Sequence, residues 1–204
     1  MAGEYFVSWP NRITVLRILL VTPFILLLLD AKESWAYRYG ALALIVLLGV
    51  GDAVDGILAR RTGKVTRIGS VLDPLADYAL MISALVTMTF PGILSDDPEV
   101  RLPRWVTVIL VSRAVFLLVG MGVVYLLSGF FQGLPSATGK AATVMQFVTL
   151  AAMCAAPDFL AISPRLTWWC LYSIWGVTVA LGVASWLGYI RTGSRLLTAW
   201  GQHK

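Results

Sequence analysis

Four aspartates interrupt two otherwise apolar stretches of the sequence: Asp52, Asp55, Asp73 and Asp77. If both stretches are helices, each pair lies on one helix face, because its members are separated by three or four residues. An ionised carboxylate in an apolar environment costs about 2.5–3.5 kcal/mol or more unless it is paired or hydrated. Four such groups close together therefore require cations. Ligands that are all oxygen favour hard divalent ions such as Mg²⁺ or Mn²⁺.

The turn between the two stretches is short and centred near Lys64, so we expect two antiparallel neighbouring helices. Asp55 and Asp73 each lie nine residues from Lys64, which is about 13 Å along a helix. Asp52 and Asp77 lie about 18–20 Å from it. Two pairs at matching depth can face each other across a cleft. Two metal ions would neutralise the four carboxylates there and could clamp a diphosphate.

Two glycines accompany these aspartates. Gly56 and Gly69 lie on or beside the carboxylate faces, where the absence of a side chain would let a ligand approach the backbone. Close packing of helices is the alternative explanation. The neighbouring aspartates favour the ligand-binding interpretation.

The composition places these helices in a membrane. The chain has 204 residues, of which 58% are hydrophobic and 13% charged, whereas a soluble domain carries roughly 25% charged residues. Several apolar stretches approach the ~20 residues that cross a bilayer. We therefore predict an all-α integral membrane protein of one domain, residues 1–204, with six transmembrane helices. They are predicted over residues 11–29, 37–61, 66–90, 104–128, 136–155 and 166–190.

The basic residues predict the orientation. Six spans place both termini on one side of the membrane, where ten Lys and Arg residues fall against five on the other side, with Arg113 inside the fourth helix. Lys and Arg are retained in the cytoplasm, so we expect both termini and the catalytic cleft to face it. The net charge of +5 comes from residues scattered over loops, which fits anionic lipid headgroups better than nucleic acid.

The aspartates belong to a longer pattern. Residues 52–60 read DAVDGILAR and, after eight intervening residues, residues 69–77 read GSVLDPLAD. This resembles the signature of the CDP-alcohol phosphotransferase family, D-x2-D-G-x2-A-R-x8-G-x3-D-x3-D, and all eight fixed letters match. The resemblance covers most of the chain, because the family also has about six membrane helices, with this motif across the second and third.

The resemblance implies transfer of a phosphatidyl group from CDP-diacylglycerol to an alcohol, with release of CMP. It also implies that the four aspartates hold two Mg²⁺ or Mn²⁺ ions, and that Asp77 also deprotonates the acceptor hydroxyl. Gly56, Ala59 and Arg60 would line the CDP site. The expected location is a bacterial cell membrane.

Two further segments resemble particular members of the family. Residues 11–17 are similar to the N-x2-T-x2-R opening of phosphatidylglycerophosphate synthases. Asn11 and Thr14 could hydrogen-bond the nucleotide there, or merely cap the first helix. Residues 139–146 are similar to a G-K-x2-T-x2-Q stretch found in those enzymes and in related cardiolipin synthases.

Arg113 and Lys140 are the candidates for binding the acceptor. Arg113 is too deep in its helix to snorkel easily, so it would bind an acceptor or lipid phosphate, or pair with a buried carboxylate or a helix-end carbonyl. Lys140 would bind phosphate or anchor the fifth helix at the cytoplasmic surface. Ala114 stands where the related enzymes usually carry an acid, and Gly120 lies where the glycerophosphate enzymes carry a second arginine. Glycerol 3-phosphate ranks first as acceptor, phosphatidylglycerol second and inositol phosphate third.

Two other classes of membrane protein use intramembrane carboxylates. A Mg²⁺-dependent prenyltransferase would usually carry two separate Asp-rich motifs, and a divalent-cation transporter does not need the intervening glycines and arginine. Membrane lipids are expected partners, and a homodimer is a further possibility. The small residues Ala180, Ala184 and Gly188 share one face of the sixth helix, although packing within the chain explains such a stripe more often than a dimer contact.

Overall fold

The computed structural model describes the backbone of residues 9–62, 69–128 and 137–201, and the side chains of residues 19–49, 51, 75–123, 126 and 137–191. Within these ranges the chain is helical and contains no strand, which confirms the all-α class. The helices are α1 (Trp9–Leu29), α2 (Trp35–Thr62), α3 (Gly69–Thr87), α4 (Arg104–Ser128), α5 (Ala137–Ile162) and α6 (Pro164–Gly201).

The predicted end of the fifth helix is wrong. Pro157 was expected to interrupt the chain near residue 155, but α5 continues through it to Ile162. A proline inside a helix removes one backbone hydrogen bond. Here tertiary packing holds the helix beyond it, since Ala156 is buried and Leu160 packs against the core. The extension places Asp158 beside α2, where it accepts hydrogen bonds from the Arg38 guanidinium and from the Tyr39 hydroxyl.

The sixth helix also extends beyond the predicted residues. It begins at Pro164 and continues to Gly201, well past the expected end at residue 190, whereas the fourth helix occupies the predicted residues. Pro164 suits the first position of a helix, where its missing N–H removes no hydrogen bond. The described part of the third helix begins at Gly69, because residues 63–68 lie outside the described part of the chain.

Each helix packs against at least two others. Among the described residues, α1 contacts α2 and α3, α5 contacts α2, α3 and α6, and α4 contacts α3 and α6. Large buried side chains such as Phe24, Ile45, Leu85 and Trp175 fill the space between them. Within these residues, α2 and α3 both pack against α1 and α5. The side chains of residues 52–74, where the direct contact between α2 and α3 is expected, lie outside the described part, so the contact and the cleft remain predictions.

The outer surface of the bundle is apolar. Leu126, Ile162 and Trp35 are 83%, 80% and 71% exposed, as expected for side chains that face lipid. Three helical segments are long and apolar enough to cross a membrane: Arg104–Val123, Ala137–Ile162 and Pro164–Arg191. The described parts of the first three helices contribute shorter apolar segments, Leu19–Leu29, Trp35–Gly49 and Leu75–Thr87.

The three small residues of the predicted stripe on α6 do not share one environment. A Cβ on Gly188 would lie 3.9 Å from the Thr138 Oγ1, so this glycine faces α5. Ala180 and Ala184 are exposed. The homodimer remains a prediction.

Candidate active site

The helices α2 and α3 carry the four aspartates on a continuous helical backbone. Asp52 and Asp55 lie on α2, and Asp73 and Asp77 lie on α3. The i, i+3 and i, i+4 spacings therefore place the two members of each pair on one face of their helix. Of these four side chains, Asp77 is within the described part of the chain. The other three aspartates lie outside the described side chains, as do the predicted nucleotide-site residues Gly56, Ala59, Arg60 and Gly69.

The predicted depths of the aspartates are not tested by the described residues. Residues 63–68, which include the predicted turn at Lys64, lie outside the described part of the chain. Along the described helices, Asp55 lies seven residues before Thr62, and Asp73 lies four residues after Gly69. The pairing of Asp55 with Asp73 and of Asp52 with Asp77 at matching depth remains a prediction.

Asp77 lies next in the chain to Tyr78, which belongs to a group of polar residues on α3, α4 and α6. The side chain of Asp77 is half-buried, and Tyr78 lies within electrostatic range of Arg113 on α4 and Tyr189 on α6. Tyr189 is also within range of Arg113 itself. Tyr78 therefore lies within electrostatic range of both the predicted base, Asp77, and the predicted acceptor-binding residue, Arg113, although these two lie on different helices.

Arg113 is buried and bound to α5. The residue is 2% exposed. Its Nη1 donates to the Oε1 of Gln146 at 2.9 Å, and its Nη2 donates to the backbone oxygen of Gly139 at 3.2 Å. A guanidinium has five N–H donors, and the Nε of Arg113 has no hydrogen-bond partner among the side chains that the structure describes. Pairing with a carbonyl near a helix end is thus confirmed, whereas the role in binding the acceptor remains a prediction.

The G-K-x2-T-x2-Q segment forms the cradle for this arginine. The Gly139 oxygen also accepts a hydrogen bond from Thr143 Oγ1 at 3.1 Å, and Gln146 is buried. Lys140, the remaining fixed residue of the segment, is exposed in the first turn of α5. On the other side of the arginine, a Cβ on Gly182 would lie 3.6 Å from the Arg113 Cδ, so α6 leaves space for the stem of this side chain. Arg113 therefore fixes the turn that carries Lys140.

The site also includes residues that the sequence did not single out. Tyr78 follows Asp77 directly, and Gln146 belongs to the quoted segment, so both positions carried a signal. Tyr189 lies far along the chain in α6, and its position gave no indication of proximity to Arg113. Asn11 and Thr14 lie inside α1, which begins at Trp9, and their side chains are outside the described part.

The chain matches the CDP-alcohol phosphatidyltransferase family over residues 7–183. It belongs to that family. This membership favours the phosphatidyltransferase over the prenyltransferase and the cation transporter as the class of this protein.

Several curated relatives are similar to the chain. A protein of Pseudomonas fluorescens named CDP-diacylglycerol–glycerol-3-phosphate 3-phosphatidyltransferase is 30% identical over 189 residues, which cover 89% of this chain and 88% of the relative. One with the same name from Cereibacter sphaeroides is 40% identical over 53% of this chain and 47% of its own length. A cardiolipin synthase (CMP-forming) of Streptomyces coelicolor is 36% identical over 56% of this chain and 50% of its own length. The chain thus spans about half the length of these last two relatives.

Proposed function

We propose that this protein transfers the phosphatidyl group of CDP-diacylglycerol to the hydroxyl of glycerol 3-phosphate, with release of CMP. The observation that carries the proposal is the complete eight-letter motif, distributed over α2 and α3. It is supported by relatives named for this reaction, one of which is matched over most of its length.

In the proposed reaction the acceptor hydroxyl oxygen attacks the β-phosphorus of the CDP-lipid. A new P–O bond forms, the bond from that phosphorus to the bridging oxygen of CMP breaks, and the hydroxyl proton passes to the Asp77 carboxylate. Phosphoryl transfer depends mainly on positioning and charge neutralisation. Gly56, Ala59 and Arg60 would hold the nucleotide, together with Gly69, Asn11 and Thr14.

The donor set fits two Mg²⁺ or Mn²⁺ ions. Four carboxylates on two helix faces provide oxygen ligands alone, and each pair has a spacing that a helix places on one side. Asp52, Asp55, Asp73 and Asp77 would hold the ions. When bound, the metals would neutralise the diphosphate and its developing charge.

The acceptor site is proposed around the first turn of α5. Lys140 is exposed there, and the Nε of the Arg113 guanidinium behind it has no partner within the described part of the chain. Because glycerol 3-phosphate carries a phosphate dianion, it depends on cationic donors more than a lipid acceptor that is anchored by its acyl chains. We therefore rank glycerol 3-phosphate first among the candidate acceptors.

Phosphatidylglycerol is the second candidate acceptor, which would make the protein a cardiolipin synthase. One specific observation favours it: α4 carries Gly120, Met121 and Gly122 where the glycerophosphate enzymes carry a second arginine. A Cβ on Gly120 or Gly122 would meet nothing within 4 Å. This part of α4 therefore lacks a second cation, which weakens the proposed acceptor site for the phosphate dianion of glycerol 3-phosphate.

The proposal includes six membrane spans with both termini and the aspartates at the cytoplasmic side. It is supported by the three long apolar segments, the apolar exterior and the excess of Lys and Arg on that side. Tagging each terminus and testing protease access in sealed inverted and right-side-out vesicles would check it. Termini on opposite sides would contradict it.

The activity is tested with purified protein, CDP-diacylglycerol and one radiolabelled acceptor at a time. We expect CMP release that depends on glycerol 3-phosphate and yields a labelled lipid. Release that depends on phosphatidylglycerol instead would establish the second candidate. If neither acceptor nor inositol phosphate promotes CMP release, the proposed reaction is wrong.

A further inference from the structure

An open groove of about 830 Å³ lies at the end of the bundle remote from the aspartates. Its walls are formed by the loop that precedes α4, by the start of α4 and by the first turns of α6. Asp77 is ten residues, about 15 Å, from the end of α3, and the groove lies beyond that end. The proposed reaction therefore does not use it.

One side of the groove carries positive charge. It is lined by Arg101 and Arg104, with Glu99 as the acidic residue. Arg101 is half-buried and Arg104 is exposed. Neither arginine has a carboxylate within ion-pair distance in the described part of the chain. The lining thus has a net charge of +1. The Nη1 and Nη2 atoms of the two arginines provide four nitrogens that can donate hydrogen bonds to an anion.

The other side of the groove is aromatic. Trp105 on α4 faces a cluster on α6 in which the Tyr172 and Trp175 ring centroids are 5.1 Å apart. Trp105 and Tyr172 are about half exposed, whereas Trp175 is 1% exposed. Amphipathic rings of this kind favour the boundary between lipid tails and headgroups.

Trp175 forms the buried base of the aromatic wall. It lines the groove but is 1% exposed, and its indole nitrogen is buried, with no hydrogen-bond partner among the described residues. A ligand in the groove would therefore contact the edge of this ring and not its N–H.

The loop wall is held in place before any ligand binds. The Leu102 N–H donates to the Met88 oxygen at 2.8 Å, and the Arg101 N–H donates to the Glu99 oxygen at 2.8 Å. Leu94 and Leu102 are buried beneath it. A preformed site of this kind loses little conformational freedom on binding.

We infer that this groove binds the headgroup of an anionic phospholipid, with its phosphodiester on Arg101 and Arg104 and its glycerol backbone against the aromatic wall. A phosphodiester carries one negative charge, which complements the net charge of the lining. Arginine forms bidentate bonds with phosphate, and the rings suit the adjoining apolar region. The site would hold a structural lipid in the leaflet opposite the catalytic cleft. The inference rests on the membrane placement proposed above, but not on the reaction.

The test measures binding of phosphatidylglycerol to the purified full-length chain in detergent, by native mass spectrometry across a lipid titration. The double variant Arg101→Gln/Arg104→Gln should raise the apparent Kd at least tenfold, which corresponds to about 1.4 kcal/mol. The double variant Lys32→Gln/Arg165→Gln is the matched control. It removes the same charge from residues that do not line the groove, and the Kd should stay within about twofold of wild type.

Glu99→Gln makes the lining of the groove more positive by one charge. The apparent Kd for phosphatidylglycerol should therefore fall. Phosphatidylcholine, whose headgroup is zwitterionic, should bind more weakly than phosphatidylglycerol to the wild type. Equal affinity for the two lipids, an unchanged Kd in the Arg101/Arg104 variant, or weaker binding in Glu99→Gln would each overturn the inference.

The same variants distinguish this inference from the proposed reaction. The groove variants should release CMP at the wild-type rate, which also shows that they are folded. Asp77→Asn should lose CMP release and keep phosphatidylglycerol bound at the groove. Loss of activity without loss of binding would thus leave the inference standing, and loss of binding without loss of activity would leave the reaction standing.

Discussion

The Nη1 of Arg113 donates a hydrogen bond to the Oε1 of Gln146 at 2.9 Å, so a buried cation of α4 is fixed to a buried amide of α5. This bond joins residues that are 33 positions apart in the chain. It also orients the guanidinium beside the turn of α5 that presents Lys140. Two roles of Arg113 thus overlap, since the side chain supports the helix packing and stands behind the proposed acceptor site.

The first prediction concerns the acceptor role of Arg113. Substitution Arg113→Ala should raise the acceptor KM by about one to two orders of magnitude, because a charge-assisted hydrogen bond to phosphate contributes roughly 1.5–3 kcal/mol. The KM for the CDP-lipid should change little. Arg113→Lys should restore binding only in part, since a point charge replaces a planar fork. Steady-state kinetics with each substrate varied in turn provide the measurement.

The structural role of Arg113 needs a separate control, because Arg113→Ala also leaves Gln146 without its donor. Gln146→Ala removes the same interhelical bond but retains the cation. We expect it to lower the melting temperature as Arg113→Ala does, while the acceptor KM stays within about threefold of wild type. If both variants lose stability and neither changes the acceptor KM, Arg113 is structural alone and the phosphate site must rest on Lys140.

The second prediction concerns the aspartates of α3. Asp73→Asn and Asp77→Asn should abolish CMP release while the protein still inserts and folds, because each substitution removes a charge and little volume. Asp77→Asn should retain more metal affinity than Asp73→Asn if Asp77 acts mainly as the base. Activity is followed as CMP release, and folding as the elution profile and melting curve in detergent. Wild-type turnover in either variant would remove the mechanism.

The third prediction concerns the metal requirement. Because the proposed ligands are all carboxylate oxygens, CMP release should stop after exhaustive chelation and return with Mg²⁺ or Mn²⁺. Zn²⁺ should not replace them at physiological concentrations, since it favours nitrogen and sulfur ligands. Full activity in the chelated protein would contradict the two-metal site.

The sequence predicted the helical class and the bounds of α4 well, because long apolar runs leave few alternatives in an apolar solvent. It failed at α5, where Pro157 predicts a boundary but the helix continues to Ile162. Proline weakens a helix locally, but the contacts of Asp158 with Arg38 and Tyr39 depend on tertiary structure. A local pattern does not contain that information.

The candidate site also contains some features that the sequence predicts and others that it does not. Asp52, Asp55, Asp73 and Asp77 could be selected from the sequence, because their spacing is short and helical. Their relative depth remains a prediction, since it depends on the connection at residues 63–68, which lies outside the described part of the chain. The partners of Arg113 could not be predicted from the sequence. A buried arginine must find acceptors, but nothing in the linear pattern selects Gln146 and the Gly139 carbonyl rather than a carboxylate.

The last prediction concerns the ion pair between Arg38 and Asp158, which joins α2 to α5 at the end remote from the aspartates. The side chain of Arg38 is 10% exposed and that of Asp158 is 42% exposed. Asp158→Ala would leave the buried guanidinium unpaired and would remove the acceptor of the Tyr39 hydroxyl. We expect a loss of about 1–3 kcal/mol, which is below the usual cost of breaking a fully buried pair because solvent reaches the carboxylate.

A second acidic residue in an ion pair provides the matched control. Asp96 is 3.9 Å from Lys32, but its side chain is 95% exposed. Exposed pairs contribute little, so Asp96→Ala should leave the melting temperature unchanged. Asp158→Ala should lower it by several degrees. Arg38 lies 14 residues before Asp52 on α2, about 21 Å along the helix, so CMP release per folded molecule should stay at the wild-type rate in both variants. Equal melting temperatures for the two variants would show that the buried pair does not stabilise the contact between α2 and α5.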